Sequence, residues 1–327
     1  MILAGDIGGT KTVLALFEES DGGLTLVRDA TFASRERATF DAILTEFLDM
    51  ERPSSLRAAC FGVAGPVIDG RVHTTNLPWN LDEPGLAALI RAPHVKLLND
   101  LEAAAYGVLF LHDDQVSVLN VGAHPARTGN VAVIAAGTGL GEAILYWDRT
   151  HYHPLASEGG HADFAPRTDE EIELLRYLRG RFNGHVSYER VLSGPGVYNV
   201  YCFLRDTQYA PEPAWLAEKL TSGDRSVTIS QVGLEGTDPL CVKTLNLFAE
   251  IYGAEAGNLA LKCIAVGGVF IAGGIGPKIL SVLRNGSFLR GFRDKGRFAE
   301  MLDALPVRVA MNPRTPVLGA AHYALRL

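Results

Sequence analysis

The stretch ILAGDIGGTKTVLALF, residues 2–17, places one carboxylate and two adjacent glycines between two short apolar runs. Both runs are rich in residues typical of strands, so the pattern predicts a strand, a tight turn and a second strand. A P-loop or a dinucleotide-binding fingerprint would need a helix directly after the glycines, and TVLALF continues as a strand instead. Gly8 and Gly9 allow a sharp turn whose backbone N–H groups face a ligand. An ordinary glycine hairpin explains the same segment equally well.

The position of Asp6 narrows the choice of ligand for such a turn. Backbone N–H groups favour an anion, whereas the carboxylate of Asp6, two residues earlier in the chain, would repel one. A phosphate with a divalent cation between it and Asp6 removes the conflict. If the turn is a binding site, the segment therefore favours a phosphate accompanied by a metal ion.

The composition limits the class of protein. The chain has 327 residues, 47% of them hydrophobic and 20% charged, which suits a globular protein of two domains at roughly 150 residues each. A net charge of −7 argues against nucleic acid as the main partner. Asp6 interrupts the apolar start, no apolar run reaches the roughly 18 residues that span a bilayer, and the four cysteines form no CxxC pair. We expect a cytoplasmic protein with reduced thiols and no membrane partner.

The order of the predicted elements indicates the fold class. Three strands are followed by helix, strand, helix, strand and helix, which is an α/β order with a largely covered sheet. The later segments in this pattern are the strands LTLVRDATFA, LRAACFGVAGPV and HVKLLND and the helices TFDAILTEFLDM and LEAAAYGVLFL.

The opening pattern then returns about 130 residues later. NVAVIAAGTGLGEAILYW, residues 130–147, is again an apolar strand, a glycine-rich turn and an apolar strand. A duplicated α/β unit explains both hairpins, and coincidence is the alternative because glycine hairpins are common. Residues 169–182 and 240–265 have helical character, GGVFIAGGI predicts a strand with a glycine turn, and the proline-rich residues 206–224 predict a surface excursion.

Asn99 and Asp100 occupy the point in KLLNDLEAAAYG where a predicted strand ends and a helix begins. Helix capping accounts for both residues, since Asn and Asp are favoured N-caps. Ligands of open α/β sheets also bind at the carboxyl ends of strands. An aspartate there could accept a proton from a substrate hydroxyl, as the catalytic aspartate of kinases does.

Two loop segments carry further candidates. Glu158 and His161 in PLASEGGHADFAP suit a polyol, because the pair offers donors and acceptors at fixed angles. No cysteine cluster or HExxH completes a zinc site, and a structural role for His161 is the alternative. In GHVSYERVLSGPG, Glu189 follows Ser187, a candidate helix N-cap, and could be a first-turn glutamate that interacts with the helix dipole. Two hairpins of the phosphate-binding type with these carboxylates fit phosphoryl transfer to a hydroxyl.

The sequence resembles the bacterial glucokinases, in the sugar-kinase branch of the actin-like ATPase fold. The segments that carry the resemblance run in family order from residue 5 to residue 298: GDIGGTKT, LLND, AAGTGLG, SEGGHADFAP, GHVSYERVLSGPGV, GGVFIAGGI and DKGRF. The opening motif is shared by the superfamily, and SEGGHADFAP together with ERVLSGPG is much narrower.

The resemblance implies a ribonuclease H-like fold of two α/β domains around a cleft, which bind glucose, ATP and Mg²⁺. We expect residues 1–110 plus 314–327 to form the small domain and residues 111–313 the large one. It also implies a homodimer. By position in the motifs, Asp100 matches the base that activates the 6-hydroxyl of the sugar. The residues that match the sugar-binding set are Asn99, Asp100, Glu158, His161 and Glu189. Those that match the nucleotide site are Asp6, Gly8, Gly9, Thr10, Lys11, Gly137, Thr138, Gly139, Gly273 and Gly274, with Asp6 also at the metal.

Two segments depart from the glucokinase pattern. DIGGTK and FGVAGPV are closer to the related family of repressors and sugar kinases, which often has a cysteine-rich zinc motif that this sequence lacks, so we predict no structural zinc. The mixed character leaves mannose, fructose, glucosamine or N-acetylglucosamine as alternative substrates.

A sugar-sensing regulator would carry a helix-turn-helix ahead of the first hairpin, and here Asp6 stands almost at the start. An assembly protein of the actin type has no reason to keep Asn99 and Asp100.

Overall fold

The computed structural model describes residues 1–20, 23–51, 55–124 and 127–327. The chain forms two compact units. The first comprises Met1–Gln115, His151–Ala156 and Asn312–Leu327, and the second comprises Val116–Thr150 and Ser157–Met311.

The first unit contains the opening hairpin and the predicted strand–helix junction. Its strands are β1 (Ile2–Ile7), β2 (Lys11–Ser20), β3 (Gly23–Ala33), β4 (Ala58–Val63), β5 (Arg71–His73), β6 (Asn80–Asp82) and β7 (His94–Asn99). Its helices are α1 (Phe40–Glu51), α2 (Glu83–Ile90), α3 (Asp100–Gly107) and, near the C-terminus, α13 (Thr315–Ala324).

Five of these strands form one sheet in the order β3-β2-β1-β4-β7. β1 is antiparallel to β2 and parallel to β4, and β4 is parallel to β7. Alternate side chains enter two separate cores, because successive residues of a strand point to opposite faces. Leu3 and Ile7 pack with α1 and α2, whereas Ile2 and Ala4 pack with α3 and α13. The sheet is covered on both faces, as predicted.

The second unit contains the second hairpin and most of the helices. Its strands are β8 (Val116–Asn120), β9 (Val131–Ala136), β10 (Leu140–Trp147), β12 (Gly268–Ala272) and β13 (Val307–Ala310), and β11 (Tyr152–Ser157) has only its last residue in this unit. Its helices are α4 (Asp169–Arg181), α5 (Gly194–Asp206), α6 (Ala214–Lys219), α7 (Arg225–Glu235), α8 (Pro239–Cys263), α9 (Ile275–Lys278), α10 (Leu280–Arg284), α11 (Ser287–Arg293) and α12 (Ala299–Asp303).

The five strands that lie wholly in the second unit are ordered β10-β9-β12-β13-β8. β10 is antiparallel to β9, β12 is parallel to both β9 and β13, and β13 is antiparallel to β8. An antiparallel hairpin followed by parallel strands therefore occurs in both units. The prediction of two hairpins of one design is confirmed.

Several features of the fold escaped the sequence analysis. The short β5–β6 hairpin and helices α5 and α7 had no predicted counterpart. The prediction that residues 206–224 are only a surface excursion is wrong, because the segment contains α6, whose Leu216 is fully buried. The proline and polar residues of this segment gave no sign of the short amphipathic helix α6. All four cysteines are free and buried, and none of the helices in the described parts of the chain combines the length and apolar character needed to cross a bilayer.

Candidate active site

The turn of the first hairpin is held from the end of β3. The Gly8 N–H donates to the Lys11 carbonyl at 3.0 Å, and the Ser34 hydroxyl donates to the Gly8 carbonyl at 2.8 Å. The buried Thr12 hydroxyl lies 2.9 Å from that of Ser34. The sequence analysis missed Ser34, whose only signal is a hydroxyl directly after a predicted strand. This second layer of hydrogen bonds fixes the backbone of the glycine turn.

The remaining residues of the turn differ in exposure. Gly9 is tightly approached, since a Cβ placed on it would lie 2.7 Å from the Cβ of Asn76. Thr10 and Lys11 are exposed. The turn therefore presents backbone and one lysine ammonium to solvent, which is a suitable surface for an anion.

Asp6 stands at the carboxyl end of β1, opposite Gly62 of β4. A Cβ on Gly62 would lie 3.4 Å from the Asp100 Cα and 2.8 Å from the Ala103 Cβ. The missing side chain thus allows the start of α3 to approach the sheet. Burial, and after it the charge of Asp100, raise the pKa of Asp6 to about 7, against a smaller opposite effect of Lys11. Two carboxylates that destabilise each other's charge favour a cation beside them.

Asn99 is the N-cap of α3, so the capping interpretation is confirmed for this residue. Its Oδ1 accepts from the Leu101 N–H at 2.9 Å, its amide donates to the Gly65 carbonyl at 3.1 Å, and Glu102 closes a capping box. Asp100 is the first helical residue, and its Oδ1 also accepts from the Leu101 N–H at 2.9 Å. The helix dipole at this position favours an ionised carboxylate.

The second hairpin turn is joined to two other candidate segments. The Gly137 N–H donates to the Gly139 carbonyl, and the Gly194 N–H, at the start of α5, donates to the Gly137 carbonyl, both at 2.8 Å. Gly273, with a φ of +77°, lies against the end of β9, where a Cβ would be 2.6 Å from the Ala136 carbonyl oxygen. Only glycine is suited to that conformation and that contact. Thr138 and Gly274 are exposed beside these backbones.

Glu189 lies against the second hairpin. Its Oε2 accepts from the Leu140 N–H at 3.0 Å, and a Cβ on Gly139 would lie 2.4 Å from the same oxygen. The sequence placed Glu189 and the glycine turn in separate motifs. In the structure the Glu189 carboxylate contacts this turn, because Gly139 has no side chain to keep the two apart.

Glu158 precedes, and His161 ends, the short 3₁₀ helix Gly159–His161, which packs on the start of β10. A Cβ on Gly160 would lie 2.0 Å from the Leu140 carbonyl oxygen. The Glu158 carboxylate and His161 imidazole are 3.9 Å apart, and both side chains are more than half exposed. The Leu140 backbone therefore contacts the segments that carry all three polar candidates, Glu158, His161 and Glu189. These three side chains lie at one end of β10.

Ser187 is the N-cap residue of the 3₁₀ helix Tyr188–Arg190, as predicted, but its side chain makes no cap hydrogen bond. Ser193 instead caps α5, where it accepts from the Gly196 N–H at 3.1 Å. Its hydroxyl donates to the Glu189 carbonyl at 2.7 Å, so the ERVLSGPG motif is a linked capping structure. The sequence did signal a helix start here, because the SGPG run places proline in the first turn after a serine.

The donor set for a metal ion is small. Across residues 1–20, 23–51, 55–124 and 127–327, no group of three or more His, Cys, Asp or Glu side chains could hold one. Mg²⁺ commonly binds through one or two carboxylates together with substrate phosphates and water. Asp6, with its raised pKa and its position before the glycine turn, fits that mode of binding.

The two hairpin-led sheets fit the actin-like ATPase fold, and similarity to known proteins makes the chain an ATP-dependent hexose kinase of that fold. The glucokinase family model matches residues 3–327. The chain belongs to the glucokinase family. It is 41% identical to the glucokinase of Nostoc punctiforme over 340 aligned residues, which cover 100% of this chain and 99% of that protein.

Solved structures agree with this assignment. The glucokinase of an Antarctic psychrotroph superposes with a TM-score of 0.88 at 32% identity, covering 100% of this chain and 99% of the other. A ROK family glucokinase from Streptomyces griseus, in complex with glucose and AMPPNP, superposes with a TM-score of 0.65 at 22% identity, covering 100% and 99%. The second likeness concerns the fold. The prediction of family and fold class is confirmed.

Proposed function

We propose that this protein transfers the γ-phosphoryl group of ATP to the 6-hydroxyl of D-glucose, with Asp100 as the general base. The observation that carries the proposal is that Asn99 and Asp100 have different roles at the start of α3. Asn99 supplies the side-chain cap, so the Asp100 carboxylate is held at a helix N-terminus without being needed as the cap. A carboxylate at that position can accept the proton of a substrate hydroxyl.

The sugar-binding group in this proposal comprises Asn99, Glu158, His161 and Glu189. Carboxylate oxygens accept from sugar hydroxyls, while an amide or imidazole donates or accepts. The exposure of Glu158 and His161 supports this role, because side chains used only for packing would be buried. Asn99 is oriented by its bonds to Gly65 and Leu101, which reduces the entropy lost on binding.

The nucleotide-binding group comprises Asp6, the first turn with Gly8, Gly9, Thr10 and Lys11, the second turn with Gly137, Thr138 and Gly139, and Gly273 with Gly274. Backbone N–H groups of the two turns would bind phosphate oxygens, with Lys11 as a point charge. Asp6 would hold Mg²⁺, which, when bound, supplies neutralisation of the charge on the phosphates. Gly273 and Gly274 would lie beside the adenosine.

The finer assignments complete the proposal. The glucose and AMPPNP bound by the S. griseus relative support the same ligands here. We further propose two domains, residues 1–110 plus 314–327 and residues 111–313, a homodimeric assembly and a cytoplasmic location. Glucosamine, mannose or fructose as the acceptor would leave the same mechanism in place.

The test is ADP release from Mg·ATP with glucose, mannose, fructose, glucosamine and N-acetylglucosamine as separate acceptors. We expect glucose to give the highest kcat/KM. Preference for another sugar would change the substrate and keep the reaction class. Absence of turnover with every sugar would overturn the proposal and favour a sensor or an assembly protein.

Glu158→Gln should raise the KM for glucose by about tenfold, the size of one lost hydrogen bond to a charged group. The amide keeps the shape of the side chain and loses the charge, and kcat should change less than KM. Glu173→Gln, an exposed glutamate on α4, is the matched control. An unchanged KM for every sugar tested would remove Glu158 from the binding group.

Gly139→Ala should raise the glucose KM with little loss of thermal stability. The added methyl would lie 2.4 Å from the Glu189 Oε2, and the end of a flexible side chain can move aside, so Glu189 shifts and the fold persists. Gly137→Ala in the same turn has open space for its Cβ and should leave the glucose KM unchanged. Equal glucose KM values for the two variants would contradict the contact's role in sugar binding.

A further inference from the structure

A pair of buried glutamates lies beneath the sugar-binding group of the second unit. Glu142, in the middle of β10, is 1% exposed, and Glu255, in the middle of α8, is fully buried. The charge of Glu255 acts on Glu142, so the two carboxyl groups are near neighbours in the interior. Glu142 follows the glycine turn of the second hairpin and Glu255 lies in the predicted helical segment 240–265, but neither was a candidate site residue, and the proposed reaction gives neither a role.

Two ionised carboxylates in contact inside a protein would be strongly unfavourable. The groups around the pair are Lys262 and Tyr252 on α8, Tyr188 on the 3₁₀ helix Tyr188–Arg190, and Lys295 after α11. The Lys262 ammonium is 3.4 Å from Glu255, but its side chain is 55% exposed, so solvent weakens that ion pair. One proton between the two carboxyl groups resolves the repulsion.

The hydrogen bonds assign the proton to the Glu142 side of the pair. The Glu255 Oε2 accepts from the Asn258 amide at 2.7 Å, and its Oε1 faces Lys262. The Glu142 Oε1 has no hydrogen-bond partner among the described residues. Burial, and after it the charge of Glu255, raise the pKa of Glu142 to about 8. Glu142 is therefore the protonated member of the pair at neutral pH, and it is the one that can donate.

The pair connects the two segments that carry the sugar-binding side chains. On one side, a Cβ on Gly159 would lie 2.2 Å from the Glu142 Oε2. The turn between Glu158 and His161 therefore packs directly against the Glu142 carboxyl group. On the other side, the Asn258 amide that bonds Glu255 also donates to the Tyr188 hydroxyl at 3.1 Å, and Tyr188 precedes Glu189.

We propose that Glu142 and Glu255 share one proton and act as a positioning pair that sets the geometry of Glu158, His161 and Glu189 for the sugar. The inference rests on the proposed function of those three residues. Loss of the shared proton would push the two carboxylates apart and displace the turn above them.

The expected pH dependence follows from the direction of the shift. When folding raises the pKa of a carboxyl group, its contribution to stability is fully present below the unfolded pKa and is lost as the pH rises through the folded pKa. The pair keeps its proton at pH 7 and loses it above pH 8. The glucose KM should therefore rise between pH 7.5 and pH 9, an interval set by that pKa of about 8.

The experiment compares Glu142→Gln with Glu142→Leu, using kcat and the glucose KM from pH 6.5 to pH 9 (about 1.5 units below to 1 above the pKa). The glutamine amide donates to Glu255 as the protonated acid does, so we expect a wild-type KM at pH 7 and no rise at high pH. Leucine has no donor and should raise the KM by about tenfold. Replacing one buried acid by leucine removes a polar neighbour of Glu255, so the melting temperature of each variant is measured in parallel.

Three outcomes would overturn the proposal. The first is a KM for Glu142→Gln that rises with pH as the wild-type value does. The second is an equal KM increase for glutamine and leucine at pH 7, and the third is an unchanged KM for both. If Glu142→Leu does not fold, the pH profile of Glu142→Gln decides alone. The proposed function fails separately, by absence of wild-type turnover with any sugar.

Discussion

Asp100→Asn should lower kcat for glucose by about 10²- to 10⁴-fold, the range for loss of a general base. The substitution removes the proton acceptor and keeps the shape of the side chain. The Asn Oδ1 can still accept from the Leu101 N–H, and Asn99 still caps α3. We therefore expect a folded protein with a nearly normal melting temperature and a glucose KM within a few-fold of wild type. Coupled ADP assays and a thermal melt measure both quantities.

The control for that variant is Asp113→Asn, an exposed aspartate in a 3₁₀ helix of the same unit. It should have wild-type kcat. Turnover near the wild-type rate in Asp100→Asn would remove Asp100 as the base and leave Asp6 as the carboxylate to test next. A large fall in melting temperature would show instead that the carboxylate is needed for the fold.

Gly319→Ala should destabilise the protein by about 3 kcal/mol or more, at the upper end of overpacking effects. Gly319 lies on α13 where it crosses α3. A Cβ there would lie 1.8 Å from the Ala103 carbonyl oxygen and 2.6 Å from the Gly107 nitrogen. Both are backbone atoms, so the helices must separate. The gain in helix propensity, about 1 kcal/mol, does not offset this cost. Thermal melting measures the loss.

Gly180→Ala is the matched helical control. Gly180 is exposed on α4, and nothing lies within 4 Å of a Cβ placed there. This variant should be as stable as wild type or slightly more stable, because alanine is the better helix former. Equal melting temperatures for Gly319→Ala and Gly180→Ala would contradict the close crossing. Because α3 begins at Asp100, separation of the helices should also lower kcat.

Local patterns predicted most of the elements that carry the candidate site. The two glycine hairpins, the strand before Asn99 and the helix after it follow from apolar alternation, glycine turns and capping residues, which act over a few neighbours. The capping role of Asn99 and the position of Asp100 at the helix start were both expected, and both are observed. Ser187 has the predicted N-cap position but no side-chain cap bond, because a favourable residue type does not ensure the geometry of that bond.

Contacts between distant segments were out of reach of such patterns. Glu189 meets Gly139 across 50 residues of sequence, and Ser34 supports the Gly8 turn from the end of β3. Glu142 and Glu255 are more than 100 residues apart, and no local pattern predicts that they meet. Each contact exists because two backbones approach closely enough for a glycine, a hydroxyl or a shared proton to matter.

By itself, the sequence determined the α/β class, the two hairpins, the family and the residue types available for phosphoryl transfer. These depend on side-chain periodicity and on short motifs, which are local properties of the chain. The tertiary structure alone decided which carboxylates are exposed, which is paired in the interior and which glycines are irreplaceable. Burial, electrostatic repulsion and close backbone contact are properties of groups brought together in space, and the order of residues along the chain does not contain them directly.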